Sequence, residues 1–120
     1  MSTLTVLTTA KTALASLNIP TYFGEQLPVD ADGALIPPTN ARYIVLHLIT
    51  RAPEHRWGTV RYGTTRVQVD AWSRTDGDAQ AILALVEPLL VAERFVPLPA
   101  RALARDGTYT GVAQDFERNT

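Results

Sequence analysis

Residues able to do chemistry are few, and their spacing argues against a catalytic site. The chain has no cysteine, which excludes thiolate metal ligands and cysteine nucleophiles. His47 and His55 do not have the spacing at which a helix presents two zinc ligands. Ser2, Ser16 and Ser73 lie in no nucleophile-elbow motif, and the glycines are dispersed rather than gathered in a phosphate-binding loop. The sequence therefore predicts a protein that is not an enzyme and that needs neither cofactor nor metal.

Two pairs of carboxylates have explanations other than catalysis. Asp76 and Asp78 stand at the predicted start of a helix, where free amides and the helix dipole favour negative charge. Asp115 and Glu117 share one face of the last predicted strand, where they repel each other unless a cation or an arginine compensates. We interpret this second pair as candidates for an ion pair between subunits.

Arginines and aromatic residues alternate around the first predicted hairpin. Such a mixture can bind nucleic acid, but the nearby Glu54 and Asp70 favour a polar protein interface instead. The residues concerned are Arg42, Tyr43, Arg51, Arg56, Trp57, Arg61, Tyr62 and Arg66.

The composition limits the partners and the number of domains. A chain of 120 residues suits one domain with a real core. Its net charge of -1 provides no general attraction to a phosphate backbone or an anionic membrane. No apolar run approaches the roughly 20 residues of a membrane-spanning helix, so no membrane partner is expected.

The central elements are a strand and the helix that follows it, within residues 64–90. Val67, Val69 and Ala71 alternate with Arg66, Gln68, Asp70 and Trp72, which is the pattern of a strand with one buried face. From Ala79 to Leu90 the apolar residues recur at helical spacing, and Thr75 is placed to cap that helix.

The remaining elements complete an α+β domain over residues 1–120. We expect a helix over 3–17, a hairpin over about 43–73 that protrudes, and a final hairpin whose two-residue turn is Asp106-Gly107. Pro88 is expected to kink or end the second helix. The predicted architecture is an antiparallel sheet of four or five strands, with the two helices largely on one face.

Three segments are candidates for contact with other molecules. The long irregular loop over about 25–41 contains apolar residues, either for docking or as part of a merely mobile surface loop. The strand over 43–49 is apolar on both faces, so its second face must be covered by that loop or by another subunit. The tip of the first hairpin would carry charges and an aromatic side chain. The candidate residues are Leu27, Val29, Leu35, Ile36, His55, Arg56 and Trp57.

Several segments resemble the tail-completion proteins of long-tailed bacteriophages. The most specific are Val69-Asp70-Ala71-Trp72-Ser73, which runs into an alanine-rich helix, and Gln114-Asp115-Phe116 near the C-terminus. A helix-led start, Tyr22-Phe23-Gly24 and the apolar strand after Arg42 extend the resemblance to nearly the whole chain.

The resemblance implies a structural protein of the virion, at the head-proximal end of the tail, that is assembled in the host cytoplasm. Such proteins form a ring, commonly a hexamer, which caps the tail tube and joins it to the head connector or a head-completion protein. DNA would be a partner only as it passes through the channel. On this basis Arg66, Gln68, Asp70 and Trp72 become candidates for contact with a neighbouring subunit or the channel. The alternatives are a neck or head-closure component and a small nucleic-acid-binding module.

Overall fold

The computed structural model describes residues 3–24, 31–32, 41–51, 54–56, 59–61, 64–105 and 107–119. In 54–56 and 59–61 the description covers the backbone alone. The elements are α1 (Thr3–Leu14), a 3-10 turn (Ala15–Leu17), β1 (Thr21–Phe23), β2 (Tyr43–Arg51), β3 (Glu54–Arg56), β4 (Thr59–Arg61), β5 (Thr64–Ser73), α2 (Asp76–Ala92), β6 (Val96–Ala102) and β7 (Thr110–Asn119).

Five of the described strands form one sheet in the order β1-β2-β5-β7-β6, and the two helices pack against it. The predicted α+β class, the number of strands and the position of the helices are confirmed. Pairing is antiparallel between β2 and β5, β5 and β7, and β7 and β6. The exception is β1, which runs parallel to β2, so the sheet is mixed rather than wholly antiparallel.

The parallel pairing of β1 with β2 accounts for the length of the chain between them. Phe23 pairs with Leu46, and Thr21 pairs with Ile44. Parallel neighbours cannot be joined by a tight turn, because the chain must return to the starting end of the sheet. A long connection between Phe23 and Tyr43 is therefore a requirement of the topology.

The core lies between the helices and one face of the sheet. The predicted helical stripe of α2 and the predicted inward face of β5 are both buried there, as the alternation of Val67, Val69 and Ala71 requires. The fully or nearly buried members of this core are Val6, Ala10, Leu14, Ile19, Ile44, Leu46, Val67, Val69, Ala71, Ala79, Ile82, Leu83, Val86, Leu90, Phe95, Val112 and Phe116.

Pro88 does not end the second helix. Helix α2 continues to Ala92, with Pro88 inside it. Proline has no amide to donate to the carbonyl of Ala84, but both residues are exposed, so water can bind that carbonyl. The expectation of an ending at Pro88 is wrong because the apolar stripe continues through Leu90, which is fully buried.

Replacing Pro88 by alanine should stabilise the domain by about 1–3 kcal/mol. The substitution restores the missing helical hydrogen bond and removes the clash of the proline ring with the preceding turn. Chemical denaturation measures the change. Glu87→Ala is the matched control and should shift the free energy of unfolding by less than about 0.5 kcal/mol. A Pro88→Ala variant no more stable than the wild type would contradict this account of α2.

The first hairpin is described as four separate strands. Strand β5 begins at Thr64, whereas residues 59–61 form β4, which pairs with β3 in a separate two-stranded sheet. The extension of the Thr64 strand over Trp57 to Tyr62, through an irregularity at Gly63, stays a prediction, because residues 57–58 and 62–63 lie outside the described part of the chain. Strands β2 and β5 pair from Tyr43 opposite Trp72 to Arg51 opposite Thr65, with an irregularity between Leu48 and Thr50.

The proline-containing strand β6 lies at the edge of the sheet, as its two prolines predict. Its pairing with β7 shifts between Pro97 and Ala100. The connection to β7 is longer than the predicted two-residue turn, because the last pair is Ala102 with Val112. Gly107 has a φ of 62°, in the left-handed region that glycine adopts without strain.

Candidate interaction surface

The face of the sheet that is turned away from the helices carries a continuous set of charged and polar side chains. Alternation along each strand directs these residues away from the core, and strand pairing brings them side by side. We refer to this set as the polar band. Its members are His47 of β2, Arg66, Gln68 and Asp70 of β5, Asp115 and Glu117 of β7, and Arg101 of β6.

Asp70 is the buried centre of one half of the polar band. Its carboxylate lies 3.0 Å from Nε2 of His47 and accepts a hydrogen bond of 2.6 Å from the amide of Gln68. The Asp70 residue is only 5% exposed, whereas the side chain of His47 is 38% exposed. A buried carboxylate requires partners of this kind, since an unpaired buried charge is strongly destabilising.

Arg66 and Arg101 connect the residues in the other half of the polar band. Arg101 Nη2 donates to Oε1 of Gln68 at 2.7 Å, and its Nη1 donates to Asp115 at 3.2 Å. Arg66 Nη2 donates to Glu117, and its Nη1 lies 3.9 Å from Asp115. The predicted repulsion between Asp115 and Glu117 is thus compensated by arginines of the same chain. Neither carboxylate needs an arginine from a neighbouring subunit.

The charge of the polar band depends on one histidine. Two arginines face three carboxylates, which leaves a net charge of -1 when His47 is neutral and zero when it is protonated. The hydrogen bond to Asp70, with a smaller contribution from its charge, raises the pKa of His47 above its ordinary 6.5 although burial opposes this. The protonated state is therefore favoured near neutral pH relative to a free histidine.

The raised pKa of His47 predicts a pH dependence of stability. A group whose pKa is higher in the folded state stabilises that state fully below the unfolded pKa of 6.5, and this contribution is lost as the pH rises through the folded pKa. The wild type should therefore lose more stability on going from about pH 6 to pH 8 than the His47→Gln variant. Unfolding titrations at both pH values measure this. NMR titration should place the pKa of His47 above that in an Asp70→Asn variant, and equal values would contradict the pairing.

Next to the polar band, the same face carries an aromatic cluster. Tyr43 stacks on Trp72 with ring centroids 6.1 Å apart, and Tyr109 meets Tyr43 edge-on at 5.3 Å. Val45 and Tyr43 are buried within this cluster, which Tyr22 and Ala41 complete. The aromatic cluster covers the outward face of β2 at this end of the strand. The second apolar face of β2 is therefore covered there, at least in part, by residues of the same chain.

Two glycines leave space for the rings of Trp72 and His47 on this face of the sheet. A Cβ at Gly111 would come within 2.8 Å of the Trp72 ring, and a Cβ at Gly24 would come within 2.4 Å of Nδ1 of His47. Real Cβ atoms do not approach other atoms so closely. The missing side chain of Gly111 therefore leaves room for the indole of Trp72, and that of Gly24 leaves room for the imidazole of His47.

The start of α2 is fixed to the end of the sheet by a second group of polar contacts. Thr75 accepts a hydrogen bond from the amide of Asp78, which confirms the predicted N-cap. Arg42 binds the carboxylate of Asp78 with two hydrogen bonds of 2.9 and 2.6 Å, and Ser73 donates to the same carboxylate. These bonds, that of Arg42 first, lower the pKa of Asp78. Asp78 is thus structural, as the sequence indicates.

The structure brings together six of the candidate interface residues. Arg66, Gln68, Asp70, Asp115 and Glu117 belong to the polar band, and Trp72 belongs to the aromatic cluster. The backbones of His55, Arg56 and Arg61 lie in β3 and β4, but their side chains lie outside the described part. The other candidates also lie outside the described residues: Leu27, Val29, Leu35, Ile36, Trp57 and Tyr62.

The sequence predictions left two important members of this surface out. The sequence explains His47 as a packed or interfacial residue, and nothing local indicates Asp70, which is distant in sequence, as its partner. The hairpin pattern places Arg101 in a strand of the last hairpin, but its contacts with Gln68 and Asp115 depend on the register of β6 with β7. Strands β5 and β7 carry more carboxylates on this face than arginines. That excess is the signal in the sequence that could have pointed to an arginine on the neighbouring strand β6.

Tests for other kinds of site give negative results within the described residues. There, no three histidine, aspartate or glutamate side chains are grouped so as to hold a metal ion. In the same part of the chain, no helix is both long and apolar enough to cross a membrane. No protein-family model and no curated protein matches the chain.

Proposed function

We propose that this chain is a structural protein of a long-tailed bacteriophage, which forms a ring at the head-proximal end of the tail tube. The observation that carries the proposal is the sheet face turned away from α1 and α2, with its polar band beside the aromatic cluster. Paired charges of both signs on a sheet suit recognition of another protein, because they define register and exclude wrong partners. The side chains of His47, Arg66 and Arg101 remain partly exposed for such contact.

The segments that carry the family resemblance also build this face. Asp70 and Trp72 come from the first segment, and Asp115 comes from the second. Their alternating neighbours Ala71 and Phe116 are fully buried in the core. The resemblance therefore involves residues that define both the packing and the surface, which supports a shared use of that surface.

The proposed mechanism is stoichiometric rather than catalytic. Contacts between subunits close a ring, one rim binds the last ring of tail tube protein and stops its growth, and the other rim binds the head connector or a head-completion protein. A channel for DNA remains. The near-neutral charge of the chain is compatible with that channel, since strongly basic walls would retain the passing duplex.

A nucleic-acid-binding module is the alternative from another functional class, and the contacts of three arginines do not favour it. Arg42, Arg66 and Arg101 are each bound to a carboxylate of the same chain. Binding of duplex and single-stranded DNA should therefore be weak at all salt concentrations. A steep fall in affinity with increasing salt would support the module and contradict the proposal.

Sedimentation and negative-stain imaging test the proposed ring. We expect closed rings of the purified chain, or rings that form on the ends of isolated tail tubes when the free chain is monomeric. The expected ring is a hexamer. The alternative, a neck or head-closure component, would bind to head connectors but not to the ends of tail tubes. A chain that stays monomeric and binds neither structure at high concentration would exclude the ring.

A further inference from the structure

The charges of the polar band lie at different depths. Its arginine side chains are the most exposed, 38% for Arg66 and 48% for Arg101. The carboxylates lie deeper, since the side chain of Asp115 is 14% exposed and that of Glu117 is 27% exposed. Asp70 is buried. The formal charges of the polar band therefore nearly cancel, but a molecule that approaches this face contacts the guanidinium groups first.

Asp115 holds the two guanidinium groups next to each other. Its Oδ1 accepts a hydrogen bond of 3.2 Å from Nη1 of Arg101, and its Oδ2 lies 3.9 Å from Nη1 of Arg66. The two arginines come from β5 and β6, the strands on either side of β7, so the carboxylate between them compensates their mutual repulsion. The result is a pair of neighbouring cations that residues of the same chain hold in position.

The two guanidinium groups have more donors than their contacts within the chain use. A guanidinium carries five N–H donors. In the described part of the chain, Arg101 donates to Gln68 and Asp115, and Arg66 donates to Glu117. Nε of Arg66 is buried and cannot reach another molecule, so the available donors of Arg66 are on its Nη atoms. Both arginines therefore keep N–H groups for acceptors that another molecule supplies.

An exposed apolar side chain lies in the same row of the sheet. Val96 of β6 pairs with Glu117, which pairs with Arg66, and residues paired in this way share one face. The exposed side chain of Val96 would be covered by any partner that binds the neighbouring arginine. Exposed ion pairs contribute little by themselves, and burial of apolar surface beside them adds affinity.

We propose that the polar band recognises a carboxylate-rich surface of another protein, whose acidic side chains bind the outer N–H groups of Arg66 and Arg101. The inference deepens the proposed function and rests on it, since that protein would be the tail tube protein in the last ring of the tube. A guanidinium suits a carboxylate because its planar fork can donate two parallel hydrogen bonds. His47, whose side chain is 38% exposed in the same polar band, adds a third cation when it is protonated.

Carboxylates of a protein fit this face better than the phosphates of DNA. A duplex carries a continuous row of charges, one for about every 1.7 Å of its axis. Such a row would also lie over Asp115 and Glu117, which are partly exposed beside the arginines, and like charges repel. A protein surface can place its acidic groups opposite the arginines alone.

NMR titration of the folded chain tests the proposal, with a hexaglutamate peptide as the probe and a hexaglutamine peptide as the control. Hexaglutamate should shift the Nε–Hε signals of Arg66 and Arg101 until they saturate, and hexaglutamine should not. Unchanged signals at millimolar hexaglutamate overturn the proposal. Larger shifts of the same signals with a short DNA duplex would assign the polar band to nucleic acid and also overturn it.

Two arginines provide a matched pair of variants that remove the same charge. Arg101→Gln should weaken the binding of hexaglutamate at least about threefold, as expected for a partly exposed ion pair. Arg105 is exposed and lies outside the polar band, so Arg105→Gln should leave the binding unchanged. Thermal unfolding checks that both variants are folded. Equal affinities of the two variants overturn the proposal.

Binding to tail tubes separates this inference from the proposed function. Every subunit of a ring repeats the contact, so Arg101→Gln should reduce binding to tube ends at least about tenfold relative to Arg105→Gln. Conversion of the exposed carboxylates of intact tubes to amides should reduce binding of the wild-type chain similarly. Rings that bind native and amidated tubes equally well contradict the acidic contact and leave the ring itself supported. Binding of hexaglutamate without any ring or tube binding contradicts the proposed function instead.

Discussion

Replacing Arg66 by glutamate should abolish ring formation on tail tubes. Arg66 lies between Asp115 and Glu117 in the polar band, so the substitution places three carboxylates together on the face turned away from α1 and α2. Like charges opposite one another on a sheet repel, and a partner surface that is complementary to Arg66 would be repelled as well. We expect at least about a tenfold loss of binding to tube ends, which corresponds to about 1.4 kcal/mol. Sedimentation of tubes with labelled chain measures it.

A charge swap distinguishes lost recognition from lost stability. Arg66→Glu combined with Glu117→Arg restores an ion pair within the chain, because these two residues are paired across β5 and β7. The double variant should recover much of the thermal stability that the single variant loses, yet it should still bind tubes poorly. Recovery of both properties would mean that the pair is needed only for the fold, and the polar band would no longer be the proposed contact surface.

Replacing Phe116 by alanine should lower the free energy of unfolding by about 3–5 kcal/mol. Phe116 is fully buried, lies opposite Val67 in the central part of the sheet and belongs to the core beneath the helices. Loss of an aromatic side chain in such a place removes its burial and leaves a cavity. Since domains are stable by about 5–15 kcal/mol, the variant should lose a large share of its stability. Chemical denaturation measures the change.

Val96 provides the control for this prediction. It lies on the neighbouring edge strand but is 59% exposed, so Val96→Ala should change the stability by less than about 0.5 kcal/mol. Comparable losses at the two positions would show that the sheet is packed differently from the description given above. A Phe116→Leu variant should lie between the two, because it keeps most of the apolar volume.

Elements with a strong local pattern could be predicted from the sequence. The alternation of Val67, Val69 and Ala71 and the helical stripe that ends at Leu90 both lie where their spacing requires. The cap at Thr75 is confirmed because capping depends on residues only three apart. These predictions succeeded because each depends on near neighbours in the chain.

Features that depend on pairing between distant strands were not predictable. The parallel orientation of β1 depends on the path of the chain between Phe23 and Tyr43, which carries no periodic signal. The pairing of His47 with Asp70, and the bridging of Gln68 and Asp115 by Arg101, depend on register. Most residues of the polar band could thus be identified from the sequence by their types, but the hydrogen bonds between them could not.

Electron microscopy of tail tubes that grow in the presence of this chain tests the central claim most directly. Tube protein from the same phage or prophage would be polymerised with and without the purified chain. The account predicts tubes that stop growing and that carry one additional ring at one end, with that ring missing in the Arg66→Glu variant. Tubes that grow to the same length and carry no additional ring at high concentrations of the chain would contradict it.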